Sequence, residues 1–308
     1  MRTIITGGTG LIGTALSESL LADGHEVIVL SRTPETRNGL PQEVRVVGWD
    51  ARTAEGWGHL ADGAGAIVNL AGANLAGSGF LPSRWTEERK RVIRDSRVNA
   101  GRAVVAAVEQ AARKPGVLVQ ASGIGYYGGR GDEVLTEEAD AGDDWLARLA
   151  AEEWEPSTAA VEDMGVRRVI IRSGAVFSAE EGALPRLALP FRLFVGGRLG
   201  SGRQYHAWIH LQDEVRAIRF LVEREEASGA FNVVAPDPKT NAELARTLGR
   251  VLNRPAWVPV PAFAMRLAFG EVAGVLLEGQ RALPRRLLDL GFEFRFPDAE
   301  SALRDLLK

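Results

Sequence analysis

Apolar positions along the chain follow two rhythms that alternate. Short apolar runs at 2–5, 25–30, 44–47, 66–70, 117–121, 169–172 and 230–234 read as strands. Between and after them, apolar residues return every three or four positions. That spacing predicts helices over 11–21, about 85–112, about 144–164, 213–224, 241–252, about 262–278 and 298–307. Pro156 is expected to kink or interrupt the third of these. Strands alternating with helices make a Rossmann-type, doubly wound parallel α/β sheet. From Gly182 the pattern loosens, with Pro185, Pro190, Gly196-Gly197 and Gly200-Ser201-Gly202 marking loops and short helices.

The first strand meets the first helix at Thr6-Gly7-Gly8-Thr9-Gly10-Leu11-Ile12-Gly13. Glycines let a backbone turn tightly and approach a pyrophosphate, and a helix start offers free N–H groups and a positive dipole end. Strand, glycine turn, helix is the context that makes this more than an ordinary tight turn. Gly7, Thr9, Gly10, Leu11, Ile12 and Gly13 are therefore candidate cofactor contacts. The second strand ends at Ser31-Arg32, where a carboxylate would select NAD by holding a ribose hydroxyl. Arg32 instead suits a 2′-phosphate and Ser31 adds a donor, so NADP is expected over NAD; the alternative for Arg32 is a solvated loop residue. Asp50, after the third strand, could contact the adenine amine or cap the following turn. The fourth strand runs into Leu70-Ala71-Gly72, small enough for a cofactor to cross the sheet edge.

Residues 1–177 are expected to form an NADP-binding Rossmann domain, completed by about 208–234. Residues 178–207 and 235–308 would form a smaller C-terminal α/β lobe over a substrate cleft. Composition narrows the class without naming a substrate. Lys and Arg total 37 against 40 Asp and Glu, mixed along 308 residues, so no basic stripe points to nucleic acid. Cysteine is absent, which excludes disulfides and thiolate chemistry. The His residues, His25, His59, His206 and His210, lack metal-site spacing, so no metal is expected. The apolar stretch 262–277 carries Arg266 and Glu271, against a membrane span. A strand from the second residue leaves no room for a signal peptide, and the expected location is cytoplasmic. The expected partner is a small-molecule substrate; the long helices over 85–112 and 144–164 offer a face for a homodimer.

The chain resembles an atypical extended short-chain dehydrogenase/reductase of the epimerase-like group related to nucleotide-sugar epimerases. The resemblance spans essentially the whole chain. It rests on TGGTGLIG (6–13), the Ser31-Arg32 pair, NLAGAN (69–74), RW (84–85), SRV (96–98), SGIGYYG (122–128) and WE (154–155). Further on come IRSGAV (171–176), LPFRLFVGGRLGSGRQ (189–204), WIHLQD (208–213) and the segment 254–267. It implies NADP(H) bound across the sheet, with Leu70, Ala71, Arg97 and Val176 as cofactor contacts.

One departure from the wider family stands out. Its usual catalytic pair is a Tyr and a Lys four residues apart on a helix, where Lys lowers the Tyr pKa. Here Trp145 and Leu149 occupy those places, and no Lys in the chain follows a Tyr by four residues. Proton transfer must use other groups or not occur. Ser122, Tyr126 and Tyr127, in the loop after the fifth strand, are the candidate substitutes, against a reading as a packing loop with two aromatic anchors. His210 begins a helix and is a weaker candidate. Arg198 and Arg203, in the glycine-rich second-lobe loop, could bind a substrate phosphate or carboxylate, or belong to a surface loop. An NADP-dependent oxidoreductase or epimerase is the leading expectation; a non-catalytic NADP(H)-binding sensor and an isomerase that returns its hydride are the alternatives.

Overall fold

The computed structural model describes residues 1–308 apart from Asn38, Ser78 and Phe80. Seven strands lie in one sheet: β1 (Arg2–Thr6), β2 (Glu26–Ser31), β3 (Arg45–Gly48), β4 (Ala66–Asn69), β5 (Val117–Gly123), β6 (Arg167–Ser173) and β7 (Gly229–Val233). Their order is β7-β6-β5-β4-β1-β2-β3, and every neighbouring pair is parallel. Each of the seven apolar runs read from the sequence lies on one of these strands. The order reverses between β1 and β4, the switch point at which a doubly wound sheet opens a crevice beyond its strand ends.

Alternate residues of each strand point to opposite faces, and both faces are buried. Ile5, Val29, Val68, Val119 and Ile171 pack beneath α1 (Leu11–Ala22). Ile4, Ile28, Ile67 and Leu118 pack beneath α2 (Glu87–Gln110), which presents Ala100, Ala103 and Ala107. These small residues let α2 lie close to the sheet. Helix α3 (Leu211–Glu223) joins α1 on the first face through Val215, Ile218 and Leu221. A separate core beyond β6 and β7 gathers Phe177, Leu184, Phe191 and Trp208 against α4 (Asn241–Leu252) and α5 (Ala299–Leu307). No helix among the described residues is long and apolar enough to cross a membrane.

Two predicted helices are not single helices. The stretch expected over 144–164 changes pitch along its length. It is an α-turn at Trp145–Arg148, a π-helix at Leu149–Trp154, a 3₁₀ turn at Glu155–Thr158 and an α-turn at Ala160–Asp163. Pro156 has no N–H to give the turn before it, and the widened turn lies immediately upstream. The helix expected over 262–278 stops at Gly270, whose φ of 64° only glycine adopts freely. A 3₁₀ turn at Gly270–Ala273 and a short helix at Gly274–Leu277 follow it.

Candidate functional site

The glycine turn makes a cradle at the switch point. Gly7 turns with φ 65°, and a Cβ there would lie 2.8 Å from the Leu70 carbonyl, so only glycine lets the ends of β1 and β4 meet. A Cβ on Gly13 would lie 2.4 Å from Gly8 Cα, which fixes α1 against the turn. At Gly10, the N-cap of α1, a Cβ would meet nothing nearer than Gly7 O at 3.4 Å. No side chain caps α1 and no acid lies in its first turn. The N–H groups that open the helix near Thr9, Leu11 and Ile12 are thus presented to an anion. Ser31, at the end of β2, accepts from Thr33 N, and the Arg32 side chain is exposed without an ion pair among the described residues. Asp50 takes the second of its two expected roles. Its Oδ1 accepts from the backbone N–H groups of Thr53 and Arg52, both at 2.8 Å, and those bonds hold its carboxyl below the usual range.

Leu70-Ala71-Gly72 continues the cradle from β4. A Cβ on Gly72 would lie 3.1 Å from the Arg97 guanidinium, so this glycine makes room for the arginine. Arg97 projects from the buried face of α2. It donates to Ala73 O at 2.9 Å and Ile93 O at 3.0 Å and stacks 4.7 Å from the Trp154 ring centre. It has no acid partner among the described residues. Burial, with the Arg89 charge adding, pulls its pKa down to about 10, so Arg97 remains a cation at neutral pH.

Arg97 also borders a cavity of about 660 Å³ at the C-terminal ends of β5 and β6. Ile12, Trp85, Trp145, Trp154 and Val176 give it broad apolar walls, and the 266–280 segment closes its outer side. Trp85 and Trp145 meet edge to face with ring centres 5.1 Å apart. Lys90 lies 5.5 Å over Trp145 and pairs with Glu271 at 2.7 Å, tying α2 to the outer segment. Trp145, at the place of the usual Tyr, faces the cavity; Leu149 is buried in the core.

The three candidate hydroxyls have different fates. Ser122 lines the cavity, but its Oγ donates to Glu155 Oε1 at 2.7 Å. Glu155 makes a two-pronged pair with Arg172, both bonds 2.9 Å, wholly within the core. Burial alone would lower the Arg172 pKa; the Glu155 carboxylate outweighs it and holds it above the ordinary arginine value. Arg172 donates to the Tyr127 hydroxyl, which donates to Asn232 Oδ1 at 2.8 Å. Tyr127 is fully buried and does not line the cavity, so the expectation of a reacting group is corrected to a core anchor. Tyr126 does line it, its ring lying 3.4 Å from the Arg172 guanidinium. Its hydroxyl bonds to none of the described residues. Arg198 spends its guanidinium on Gly200 O and Ser201 O, and Arg203 is exposed. Neither lines the cavity. His210 caps α3, its Nδ1 accepting from Gln212 N at 3.0 Å.

Two polar groups at the cavity escaped the sequence reading. His206 lines it with Nε2 3.2 Å from Asn241 Nδ2. Asn241 Oδ1 accepts from the Leu199 N–H at 2.7 Å, so its amide nitrogen faces His206 and must donate. The proton of the ring therefore sits on Nδ1. Burial pulls the His206 pKa down to about 4, leaving a neutral imidazole at pH 7. Ser173, the last residue of β6, also lines the cavity and donates to Glu214 Oε1 at 2.6 Å. Glu214 is fully buried on α3, and its Oε2 has no partner among the described residues. Burial pushes its pKa up to about 8, the Ser173 bond opposing. An acid in a helix's first turn reads as a dipole partner at the surface, which hides Glu214 in the sequence. Glu155 was within reach: an arginine inside the apolar run of β6 needs a buried acid to neutralise it.

A glycine cradle and an adjoining cavity at the switch point of a parallel sheet define a dinucleotide-binding α/β protein of the extended short-chain dehydrogenase/reductase type. The chain belongs to the NAD dependent epimerase/dehydratase family, which matches residues 3–234; residues 260–306 match a domain of unknown function, DUF1731. It is 38% identical to the epimerase family protein YfhF of Bacillus subtilis (strain 168), covering all of this chain and 98% of that one. It is similar to the crystal structure of the human epimerase family protein SDR39U1 (isoform 2) with NADPH, at TM-score 0.89 and 35% identity over 99% of each chain. It is also similar to a nucleoside-diphosphate sugar epimerase from Corynebacterium glutamicum, at TM-score 0.77 and 32% identity over 99% of this chain and 58% of that one.

Proposed function

We propose that the chain binds NADP(H) and acts as an oxidoreductase or epimerase on a small, sugar-like or nucleotide-linked substrate. The observation that carries this reading is the continuity of cradle and cavity, with Arg97 packed on Gly72 at their border. The residues fit the dinucleotide. Gly7, Gly10 and Gly13 leave the start of α1 open to a pyrophosphate, and Arg32 at the end of β2 suits a 2′-phosphate with no acid to repel it. The NADPH of the human relative supports the same choice. When bound, the nicotinamide supplies hydride transfer. The protein contributes the rest. A cavity of about 660 Å³ suits a small ligand, tryptophan walls offer flat faces to a ring, and Arg97 supplies a cation. Tyr126 and the His206 Nδ1–H offer hydrogen-bond donors.

The test is a titration with NADPH and NADH, read by tryptophan quenching. NADPH should bind more tightly, and Arg32→Ala should remove about 1–3 kcal/mol of that preference, the worth of a charge-assisted contact. Equal affinities, or a preference untouched by the mutation, overturn the reading. A second reading, NADP(H) binding without turnover, draws support from one observation: the Ser122 and Tyr127 hydroxyls are both engaged inside the protein. Deuterium transfer from labelled NADPH to a panel of carbonyls and sugar nucleotides separates the two. Transfer to any member supports the enzyme; none across the panel supports the binding protein.

A further inference from the structure

Reduction of a carbonyl needs a proton for the oxygen as well as a hydride for the carbon, and Trp145 and Leu149 cannot supply it. We propose that Ser173 and Glu214 form a proton relay at the cavity wall, Ser173 handing its hydroxyl proton to the substrate oxygen and Glu214 replacing it. This rests on the NADP(H)-dependent reading above. As the hydride adds to the carbonyl carbon, the Ser173 O–H bond breaks and an O–H bond forms on the substrate. The Glu214 O–H bond breaks as the Ser173 hydroxyl is remade. NADPH is oxidised, the carbonyl is reduced to an alcohol, and Glu214 is left as a carboxylate. It recovers its proton from water through Ser173 once product leaves, and oxidation runs the same steps backwards.

Three observations carry the relay. Ser173 lies at the cavity beside Gly174 and Val176, across from Gly123 of β5. Glu214 is fully buried with Ser173 as its one hydrogen-bond partner among the described residues. With the acid protonated on Oε1 the 2.6 Å bond reverses, Glu214 donating to Ser173 Oγ and freeing the Ser173 O–H for the substrate, so the proton has a single exit. No cation among the described residues pairs with it. The charged groups nearby face elsewhere: Arg172 toward Glu155, Asp213 toward Arg216 and the backbone N–H groups of Arg295 and Phe296, His210 toward Asp305 and Arg219 toward Asp23. A buried carboxyl without a cation keeps its proton at neutral pH. Its pKa, pushed up to about 8, lies in the range where an acid–base group works well.

The test is infrared titration of the whole protein, which does not depend on turnover. A neutral carboxylic acid band should be present at pH 7, vanish with a midpoint near pH 8 and be missing in Glu214→Gln. With NADP⁺ bound the midpoint should fall by about one pH unit relative to NADPH, the effect of a nearby positive charge. Ser173→Ala should keep the band but slow its hydrogen–deuterium exchange by about tenfold or more, and Ser173→Thr should restore the rate. No Glu214-dependent band at pH 7, equal midpoints in the two redox forms, or unchanged exchange in Ser173→Ala each overturn the relay. If tryptophan quenching shows no NADPH binding, the cofactor reading fails and the relay's role with it; if binding is intact and the midpoints coincide, the relay alone fails.

Discussion

Two serines stand near the ends of neighbouring strands, and each holds a buried glutamate. Ser122 of β5 donates to Glu155 at 2.7 Å, and Ser173 of β6 donates to Glu214 at 2.6 Å. The first glutamate has Arg172 on both oxygens; the second, among the described residues, has no cation and one oxygen without a partner. The same pair of side chains therefore does opposite work. Beside Arg172 the carboxylate is a fixed charge that locks β5, β6 and the 145–163 segment together. Without a cation it is a neutral acid whose proton can move. The difference lies in the third residue, since burial penalises an unpaired charge in either place.

The largest test of this contrast is Arg172→Met. It strands a buried carboxylate and should lower stability in urea by about 3–5 kcal/mol. Glu214→Gln removes no ion pair and should not approach that loss.

The second test is pH. Glu214 holds its proton in the folded state up to about 8, whereas its unfolded counterpart releases it near 4.5. Between these values the folded state binds the extra proton, so stability falls as pH rises. His206 has the opposite sign, its folded pKa lying near 4 below an unfolded 6.5, and its contribution is lost as pH falls through that window. Above pH 6.5 the Glu214 effect stands clear of His206. From there to pH 8 the wild type should lose about 1.4 kcal/mol per pH unit relative to Glu214→Gln, measured by urea midpoints at each pH. Parallel curves for the two proteins would remove Glu214 as a neutral acid.

The finest test compares the serines. Ser122→Ala deletes a bond to a charged group and should cost about 1.5–3 kcal/mol, while Ser173→Ala deletes a bond to a neutral acid and should cost about 0.5–1.5 kcal/mol. Equal losses by thermal or urea unfolding would blur the contrast between the pairs.

Much of this molecule is legible before folding. The seven apolar runs became β1 to β7 because a strand buried on both faces has no other way to satisfy its side chains. The glycine turn was equally readable, since Gly7 and Gly13 stand where any Cβ would strike backbone. At Gly13 the backbone in the way belongs to the same turn, and at Gly7 it is Leu70, which the pairing of β1 with β4 brings alongside.

What tertiary structure decided is which polar groups remain free at the cavity. Tyr126 and Tyr127 are neighbours in sequence, yet one faces the cavity and the other closes a core network with Arg172 and Asn232. Glu214 follows Asp213 directly, yet Asp213 binds the backbone of Arg295 and Phe296 while Glu214 turns to Ser173. Arg198 and Arg203 read from the sequence as either ligand contacts or surface-loop residues, and the fold leaves both outside the lining of the cavity. Backbone rhythm is a property of nearest neighbours and is written in the chain. The protonation and availability of a side chain depend on partners tens to hundreds of residues away, and only the packed fold brings those partners into range.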